Sequence, residues 1–355
     1  MPTSKGDEMG SIVLFLGILL FSFIVTSMAV VPFINLLYKL KFRRAQQQTK
    51  DAFGKRTPIY DKFHKNKAGV PVGGGLLIVV LVSVFFALMI PLLNYFGIEV
   101  TSLHQNSQVE INVLFFTFLS FAILGLYDDL KKIFSFEKTK FFGLRLRQKL
   151  LLQIILAVII SLMLHFQLGI SILHIPFVGT FDLGWGYIPF ATFVIVAFTN
   201  AVNITDGLDG LASGLLMIGL FGLWILSSSI LDVPLSVFIA LWLGSLISLL
   251  YFNIYPARLF MGDVGSLAFG ATLAVIGLLL GKVFTLLIIG FIFVLEIMSS
   301  LLQLLAKRYW KRKILPAAPL HLTLQERGWD EPKIVQRAWL IQIMLTLFGL
   351  WLAFI

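Results

Sequence analysis

The chain contains no cysteine among its 355 residues, so neither a disulfide nor a thiolate metal site is possible. Charged residues are also scarce, at 13% of the chain, whereas 58% of the residues are hydrophobic. A soluble domain does not need so large an apolar fraction, and the longest polar loop, of roughly 35 residues, is too short to fold independently. The composition therefore excludes a soluble enzyme and predicts one all-α, polytopic membrane domain over residues 1–355.

Long apolar runs predict the membrane-spanning helices of this domain. Ten runs are long enough to cross a bilayer: 12–37, 74–97, 111–127, 150–168, 186–201, 211–231, 234–253, 264–283, 284–306 and 337–355. The polar residues 1–10 before the first run are predicted to be a flexible lead. The alternating sequence near 170–186 predicts a short β-hairpin between two spans.

Acidic residues number only 18 against 28 lysines and arginines, and the basic residues are concentrated in a few loops. Segments 38–73, 128–149 and 307–337, together with Arg258, contain 26 of the 28. Ten spans place these segments on one face, which the positive-inside rule makes cytoplasmic, so both termini and the hairpin are predicted to be external. The net charge of +10 is thus a topology signal, and no nucleic-acid partner is predicted. The predicted cytoplasmic loops are about 38–73, 128–149, 200–210, 253–265 and 307–336.

Three acidic motifs lie on this predicted cytoplasmic face. They are Tyr-Asp-Asp-Leu-Lys-Lys at 127–132, Asn-Ile-Thr-Asp-Gly-Leu-Asp-Gly at 203–210 and Phe-Met-Gly-Asp-Val-Gly-Ser at 260–266. Carboxylates beside lipid repel one another and are costly to desolvate, and a divalent cation with phosphate-bearing substrates compensates for both. The carboxylates expected to converge within about 12 Å of one point are those of Asp128, Asp129, Asp206 and Asp263.

Each motif also has an ordinary structural explanation. Asp128 with its following lysines is compatible with a solvated helix end, and Asp263 with a helix N-cap. The glycine run 73–75 is either an anion site at a helix start or a flexible loop. Glu296 shares a helical stripe with Gln303 and is either functional or structurally paired.

In combination and order, these motifs resemble the phospho-N-acetylmuramoyl-pentapeptide transferases of the polyprenyl-phosphate N-acetylhexosamine-1-phosphate transferase superfamily. The resemblance runs from about residue 30 to the C-terminus, and its carriers are the segments 67–75, 126–129, 147–150, 200–211, 260–266 and 328–333. It implies Mg²⁺-dependent transfer of phospho-MurNAc-pentapeptide from UDP-MurNAc-pentapeptide to undecaprenyl phosphate. The products would be lipid I and UMP, in the first membrane step of peptidoglycan synthesis. It also implies homodimers among the lipids of the bacterial cytoplasmic membrane, with the active site on the cytoplasmic face.

The resemblance also assigns roles to individual residues. Asp128 matches the carboxylate usually proposed to deprotonate the lipid phosphate, and Asp263 matches the Mg²⁺ ligand. Further catalytic positions are matched by Asp129, Asp206, Lys132 and His321. Substrate-binding positions are matched at the phosphate end by Lys67 and Asn203, and at the nucleoside end by Asp209, Asn253, Phe260, Gly262 and Gln303.

The chain departs from the family pattern in two loops. His321-Leu322-Thr323 stands where the family has three histidines, and 70–75 reads Val-Pro-Val-Gly-Gly-Gly instead of Thr-Pro-Thr-Met-Gly-Gly. A related branch that transfers GlcNAc-1-phosphate or a related sugar phosphate also lacks the triple histidine and remains an alternative. Other classes that remain open are a non-catalytic binder of lipid phosphate and an ion-coupled transporter, although the internal repeats of a transporter are not seen.

Overall fold

The protein is a bundle of helices with one small hairpin. A computed structural model describes residues 5–43, 61, 63, 67–134 and 144–355. The helices are α1 (Lys5–Lys39), α2 (Gly74–Tyr95), α3 (Ser107–Phe134), α4 (Leu146–Leu162), α5 (Tyr187–Thr205), α6 (Leu211–Ser229), α7 (Val233–Asn253), α8 (Gly262–Leu279), α9 (Val283–Ile289), α10 (Phe291–Leu305), α11 (Leu320–Glu326) and α12 (Glu331–Phe354). Strands β1 (Ile172–Ile175) and β2 (Gly179–Asp182) pair antiparallel between α4 and α5, as the alternating sequence predicts.

In the described part of the chain, nine helices are long and apolar enough to cross a membrane, or ten spans when the bent pair α9–α10 is counted. This confirms the polytopic all-α fold. The ninth predicted span is not continuous, because α9 and α10 meet at an angle of 76° around Gly290. A side chain at Gly290 would collide with the Phe198 ring of α5, so glycine permits this corner to pack closely. Helix α1 begins at Lys5, within the predicted flexible lead.

Two helices continue into segments that the sequence predicts as loops. Helix α3 runs to Phe134 and α5 runs to Thr205. The ammonium of Lys132 lies 2.9 Å from a carboxylate oxygen of Asp128 one turn earlier, and this pairing supports the helix through the acidic motif. The acidic motif and Asn203 therefore lie on rigid helix ends instead of loops.

Helix α8 is the centre of the bundle, and all of its residues are buried. Helices α2, α3 and α5 pack around it. Gly125 of α3 lies directly against the backbone carbonyl of Asp263, where any side chain would collide. Close approach at small residues is how membrane helices gain packing energy, since lipid supplies no hydrophobic force between them. This crossing brings the acidic end of α3 to the first turn of α8.

The candidate-site residues share one end of the bundle. They lie at the C-terminal ends of α3, α5, α7 and α10 and at the N-terminal ends of α4, α6, α8 and α12, or in the loops that join these ends. The hairpin connects the opposite ends of α4 and α5.

Candidate active site

Two lysines and two carboxylates form the centre of the site, which we call the lysine–carboxylate cluster. Lys132 Nζ of α3 lies 2.9 Å from Asp128 Oδ2 and 2.7 Å from Asp263 Oδ2. Lys149 Nζ of α4 lies 3.1 Å and 2.6 Å from the same two oxygens. Asp128 is 1% exposed and Asp263 is 7% exposed. The two ammonium groups therefore neutralise buried carboxylates that would otherwise repel each other.

Asp129 connects this cluster to the start of α8. Its Oδ2 accepts a hydrogen bond of 3.2 Å from the backbone N–H of Val264. Gly262, at the first position of α8, has a φ of 80°, which favours glycine, and a Cβ there would lie 2.8 Å from Asp129 Oδ2. A carboxylate at this position satisfies a helix N–H and complements the helix dipole. Asp129 thus helps to hold the turn that carries Asp263.

Helix α5 contributes an amide to the same cluster. Asn203 Oδ1 accepts a hydrogen bond of 3.3 Å from Lys149 Nζ, and its Nδ2 donates to Ser266 Oγ of α8 at 2.7 Å. Asp206 is half-buried at the residue that follows α5. Asn203 is therefore in contact with the cluster, and convergence of the Asp206 carboxylate on it remains a prediction.

A second charged group, the Lys67–Asp209–Glu331 triad, joins the loop before α2 to the turn before α6 and to the start of α12. Lys67 Nζ lies 2.7 Å from Asp209 Oδ1 and 2.5 Å from Glu331 Oε1, and Glu331 also accepts from Asp209 N at 2.6 Å. Burial alone lowers the pKa of Lys67, but the carboxylates of Glu331 and Asp209 outweigh it, and the pKa is raised above its ordinary value. Lys67 is therefore charged at neutral pH and fixes the turn before α6.

The loop before α2 pairs with the loop before α8 through the backbone. Phe260 N donates to Pro71 O at 2.9 Å, and the N–H groups of Gly73 and Gly74 both donate to Phe260 O, at 3.0 and 2.8 Å. The interpretation of the glycine run as an anion site is therefore wrong, because these N–H groups already have carbonyl partners. The pairing leaves Phe260 half-buried, three residues before Asp263.

Two amides of the predicted nucleoside end hold loops in place. Asn253 Oδ1 accepts from Gly210 N at 3.2 Å and from Ser213 Oγ at 2.6 Å. Gln303 Oε1 accepts from two backbone N–H groups of the loop after α10, and its Nε2 donates to Leu315 O at 2.9 Å. These contacts order the walls of the site, and direct contact of either amide with a base remains a prediction.

His321 of α11 is paired with Glu296 of α10. Its backbone N–H donates to Glu296 Oε1 at 3.2 Å, and its Nδ1 lies 3.0 Å from Oε2. Leu322 and Thr323, at the positions of the missing histidines, are 4% and 2% exposed, and the Thr323 hydroxyl donates to the Ala317 carbonyl. Glu296 is thus a paired glutamate, and its partner is the histidine that the family pattern marks.

Comparison with known proteins identifies the family. The family model for glycosyl transferase family 4 matches residues 111–281. A phospho-N-acetylmuramoyl-pentapeptide-transferase from Staphylococcus epidermidis is 37% identical over 295 residues, which cover 81% of this chain and 87% of the relative. A protein of the same name from Desulfotalea psychrophila is 38% identical, over 81% of this chain and 80% of the relative. Another from Borreliella burgdorferi is 34% identical, over 93% of this chain and 92% of the relative. The chain belongs to the phospho-N-acetylmuramoyl-pentapeptide transferase family. It is accordingly a transferase and a multi-pass membrane protein.

One residue of this family member's cluster was missed by the sequence reasoning. Lys149 was interpreted as part of the basic topology signal of segment 128–149 and, within the motif 147–150, was given no role in the site. A signal was present, because Gln153 follows it by one turn, and the two polar residues share one face of α4. Gln153 is fully buried and accepts from Asn200 Nδ2 of α5 at 2.7 Å, so this face is directed at α5.

The oxygen donors of the cluster fit Mg²⁺ bound partly by substrate. Among the described residues, no three His, Asp or Glu side chains are arranged as a protein cage for a metal. Mg²⁺ is commonly held by one or two carboxylates together with waters and substrate phosphates. The cluster offers carboxylates from Asp128 and Asp263, with an amide and a hydroxyl from Asn203 and Ser266. Such a set suits an ion shared with a diphosphate.

Proposed function

We propose that this family member transfers phospho-MurNAc-pentapeptide from UDP-MurNAc-pentapeptide to undecaprenyl phosphate, giving lipid I and UMP. The observation that carries the proposal is the sharing of Lys132 and Lys149 between Asp128 and Asp263 at one end of the bundle. The printed names of the relatives support the choice of the transferred group.

Both substrates carry negative phosphates, and their mutual repulsion is the first barrier to reaction. In the proposed reaction an oxygen of undecaprenyl phosphate attacks the β-phosphorus, and UMP leaves with the electrons of the broken P–O bond. Lys132 and Lys149 exchange carboxylate oxygens for phosphate oxygens as the substrates bind, which stabilises the charge that develops during transfer. Asp128 keeps both ammonium groups oriented towards Asp263.

Asp263 would hold Mg²⁺, which supplies neutralisation of the diphosphate and of the leaving UMP when it is bound. Undecaprenyl phosphate is largely ionised near neutral pH, so Asp128 contributes more by orientation than as a general base. The rival mechanism has two steps and an aspartyl phosphate. Mixing enzyme and UDP-MurNAc-pentapeptide without lipid separates the two, because only the two-step mechanism releases one equivalent of UMP per site.

The nucleoside end of the proposed site lies at the paired loops. Asp209 Oδ2 accepts a hydrogen bond of 2.9 Å from Ala257 N, three residues before Phe260, so the two predicted uridine contacts belong to adjoining segments. We infer that uracil stacks on the Phe260 ring beside Asp209 and that Lys67, which is paired with Asp209, lies on the phosphate side of the uracil.

We further propose a homodimer in the bacterial cytoplasmic membrane, with both termini outside. The lysine–carboxylate cluster would face the cytoplasm, because the basic segments share its end of the bundle. Labelling of single introduced cysteines tests this orientation cleanly, since the chain has no cysteine of its own.

Transfer of GlcNAc-1-phosphate is the second candidate, favoured by the loss of two histidines from the last loop. The test is UMP release by purified protein with undecaprenyl phosphate, Mg²⁺ and either UDP-MurNAc-pentapeptide or UDP-GlcNAc. We expect the muramoyl donor to react at least about tenfold faster, a difference of roughly 1.4 kcal/mol in transition-state binding. Preference for UDP-GlcNAc would assign the chain to the related GlcNAc-1-phosphate branch. Absence of UMP with both donors would favour a lipid-phosphate binder or a transporter.

A further inference from the structure

The Glu296–His321 pair has no assigned part in the proposed reaction, although it lies at the same end of the bundle as the cluster. Glu296 is 4% exposed and His321 is 2% exposed, so the pair is almost completely removed from solvent. A buried glutamate and histidine joining two helices are compatible with a structural contact alone. Two features of the geometry indicate a more specific role.

The first feature is the pattern of hydrogen bonds at the carboxylate. Glu296 accepts from the backbone N–H of His321 at 3.2 Å, which requires an oxygen with a free lone pair. Nδ1 of the ring lies 3.0 Å from the other oxygen. An ionised carboxylate can only accept, so beside an ionised Glu296 the Nδ1 atom is the donor of this hydrogen bond. The ring is thereby fixed in orientation and tautomer, as a carboxylate does for histidines in many active sites.

The second feature is the direction of the other ring nitrogen. His321 Nε2 lies beside Gly207, where an added Cβ would be only 2.6 Å from it. Gly207 directly follows Asp206, and its carbonyl accepts from Lys67 Nζ at 3.3 Å. Nε2 is therefore directed at the turn between α5 and α6, where residues of the candidate site meet, and not into the apolar core.

We propose that Glu296 is a positioning residue for the transfer reaction and acts through His321. By accepting from Nδ1–H, it keeps Nε2 aimed at the Asp206–Gly207 turn, so that a ring with a second proton, on Nε2, donates it in a hydrogen bond to a phosphate oxygen of the substrate. The inference rests on the proposed function, because the contact that it sets up is with the phosphates of that reaction.

A double-mutant cycle tests the proposal with Glu296→Gln, His321→Ala and the double variant. We expect Glu296→Gln to lower kcat by about tenfold, with the KM of both substrates within about twofold. On the His321→Ala background the same substitution should cost nothing further, because the residue through which it acts is gone. Glu326→Gln is the matched control, since Glu326 is an exposed carboxylate on the same short helix as His321.

Two results of this cycle would overturn the proposal. One is a Glu296→Gln variant with the kcat of the parent. The other is a double variant whose loss of kcat is the full product of the two single losses, as expected for a contact that only supports the fold. If Glu296→Gln does not fold, the imidazole ¹⁵N signals of the unsubstituted protein show whether Nδ1 of His321 carries a proton. The His321 signals are assigned as those absent from the spectrum of His321→Ala. A protonated Nδ1 is expected there, and an unprotonated Nδ1 refutes the positioning role. An inactive parent with a protonated Nδ1 would instead refute the proposed function.

Discussion

Lys132 and Lys149 each contact two carboxylates from different helices, so single side chains determine the charge balance of the whole cluster. Removing one carboxylate leaves two ammonium groups sharing the other. A neutral amide of the same shape cannot restore the lost charge. Substitution of single residues is therefore the most direct test of the proposed chemistry.

Asp263→Asn should lower the turnover by at least about 100-fold while the fold survives, because the substitution removes charge and keeps volume. It should also weaken Mg²⁺ binding, which can be followed by calorimetry in the presence of UMP. Asp330→Asn is the control, since Asp330 is exposed at the start of α12. Turnover near that of the parent would remove Asp263 from the proposed metal site.

Lys67→Met should destabilise the protein by about 3 kcal/mol, because it leaves two buried carboxylates without their cation. Because the pKa of Lys67 is raised in the folded protein, the charged lysine contributes its full stabilisation below the ordinary pKa of 10.5. This stabilisation is lost only as the pH rises through the higher pKa of the folded state. The difference in Tm between parent and variant should thus be constant from about pH 7 to pH 9.5. A difference that shrinks within this window would show that Lys67 loses its proton there.

The sequence was sufficient to select Asp128, Asp129 and Asp263, because carboxylates in apolar surroundings are conspicuous in a membrane protein. It was not sufficient to identify the cations that neutralise these carboxylates. Lys149 has an adequate topological explanation as a helix anchor, and its contact with Asp128 depends on how two helices cross. Glu331 belongs to the motif 328–333, but nothing in its local pattern predicts that it pairs with Lys67, 264 positions away.

At the scale of helices and loops, the crossing of α3 and α8 positions the cluster. Helix α8 is buried throughout, and its first turn can carry Asp263 next to Asp128 only because α3 approaches so closely at Gly125. The periodicity of the apolar runs predicted these helices. It did not predict that α3 continues through its acidic motif or that α5 extends to Thr205, because an apolar run ends at the first polar residue whether or not the helix does.

Gly125→Val should reduce turnover strongly and lower the Tm by several degrees, because its side chain would push α3 away from the start of α8. Gly17→Val on α1 is the matched control, since a Cβ at Gly17 meets no atom within 4 Å. Equal activity of the two variants would mean that this helix crossing does not position the site.

Phe260→Ala should mainly weaken nucleotide binding, by about 1–3 kcal/mol, because a base loses its stacking surface. The loop itself should persist, since its pairing with the loop before α2 uses backbone groups. Competition of UMP against the UDP-linked donor measures the effect, and Phe252→Ala, a half-buried phenylalanine of the preceding helix, serves as the control. Unchanged affinity for UMP would mean that uracil binds elsewhere.

At the scale of the whole molecule, the polytopic all-α class was predicted correctly from the composition and the apolar runs. The hairpin and the number of spans follow from runs and counts that need no tertiary information, and the cytoplasmic placement of the basic segments stays a prediction. The break at Gly290 was not predicted, because the apolar run continues through it and only contact with α5 explains the glycine. The same limit applies to the glycine run before α2, whose N–H groups are occupied by a loop distant in sequence.

The central claim is that the chain transfers a phosphosugar, and not a sugar alone, from a UDP-linked donor to a lipid phosphate. The most direct measurement is mass spectrometry of both products after incubation of the purified protein with undecaprenyl phosphate, Mg²⁺ and UDP-MurNAc-pentapeptide. The account predicts equimolar UMP and a lipid diphosphate that carries MurNAc-pentapeptide, with neither product formed in excess chelator. Release of UDP, or a lipid product with a single phosphate, would contradict it, because cleavage would then have occurred at the sugar and not at the β-phosphorus.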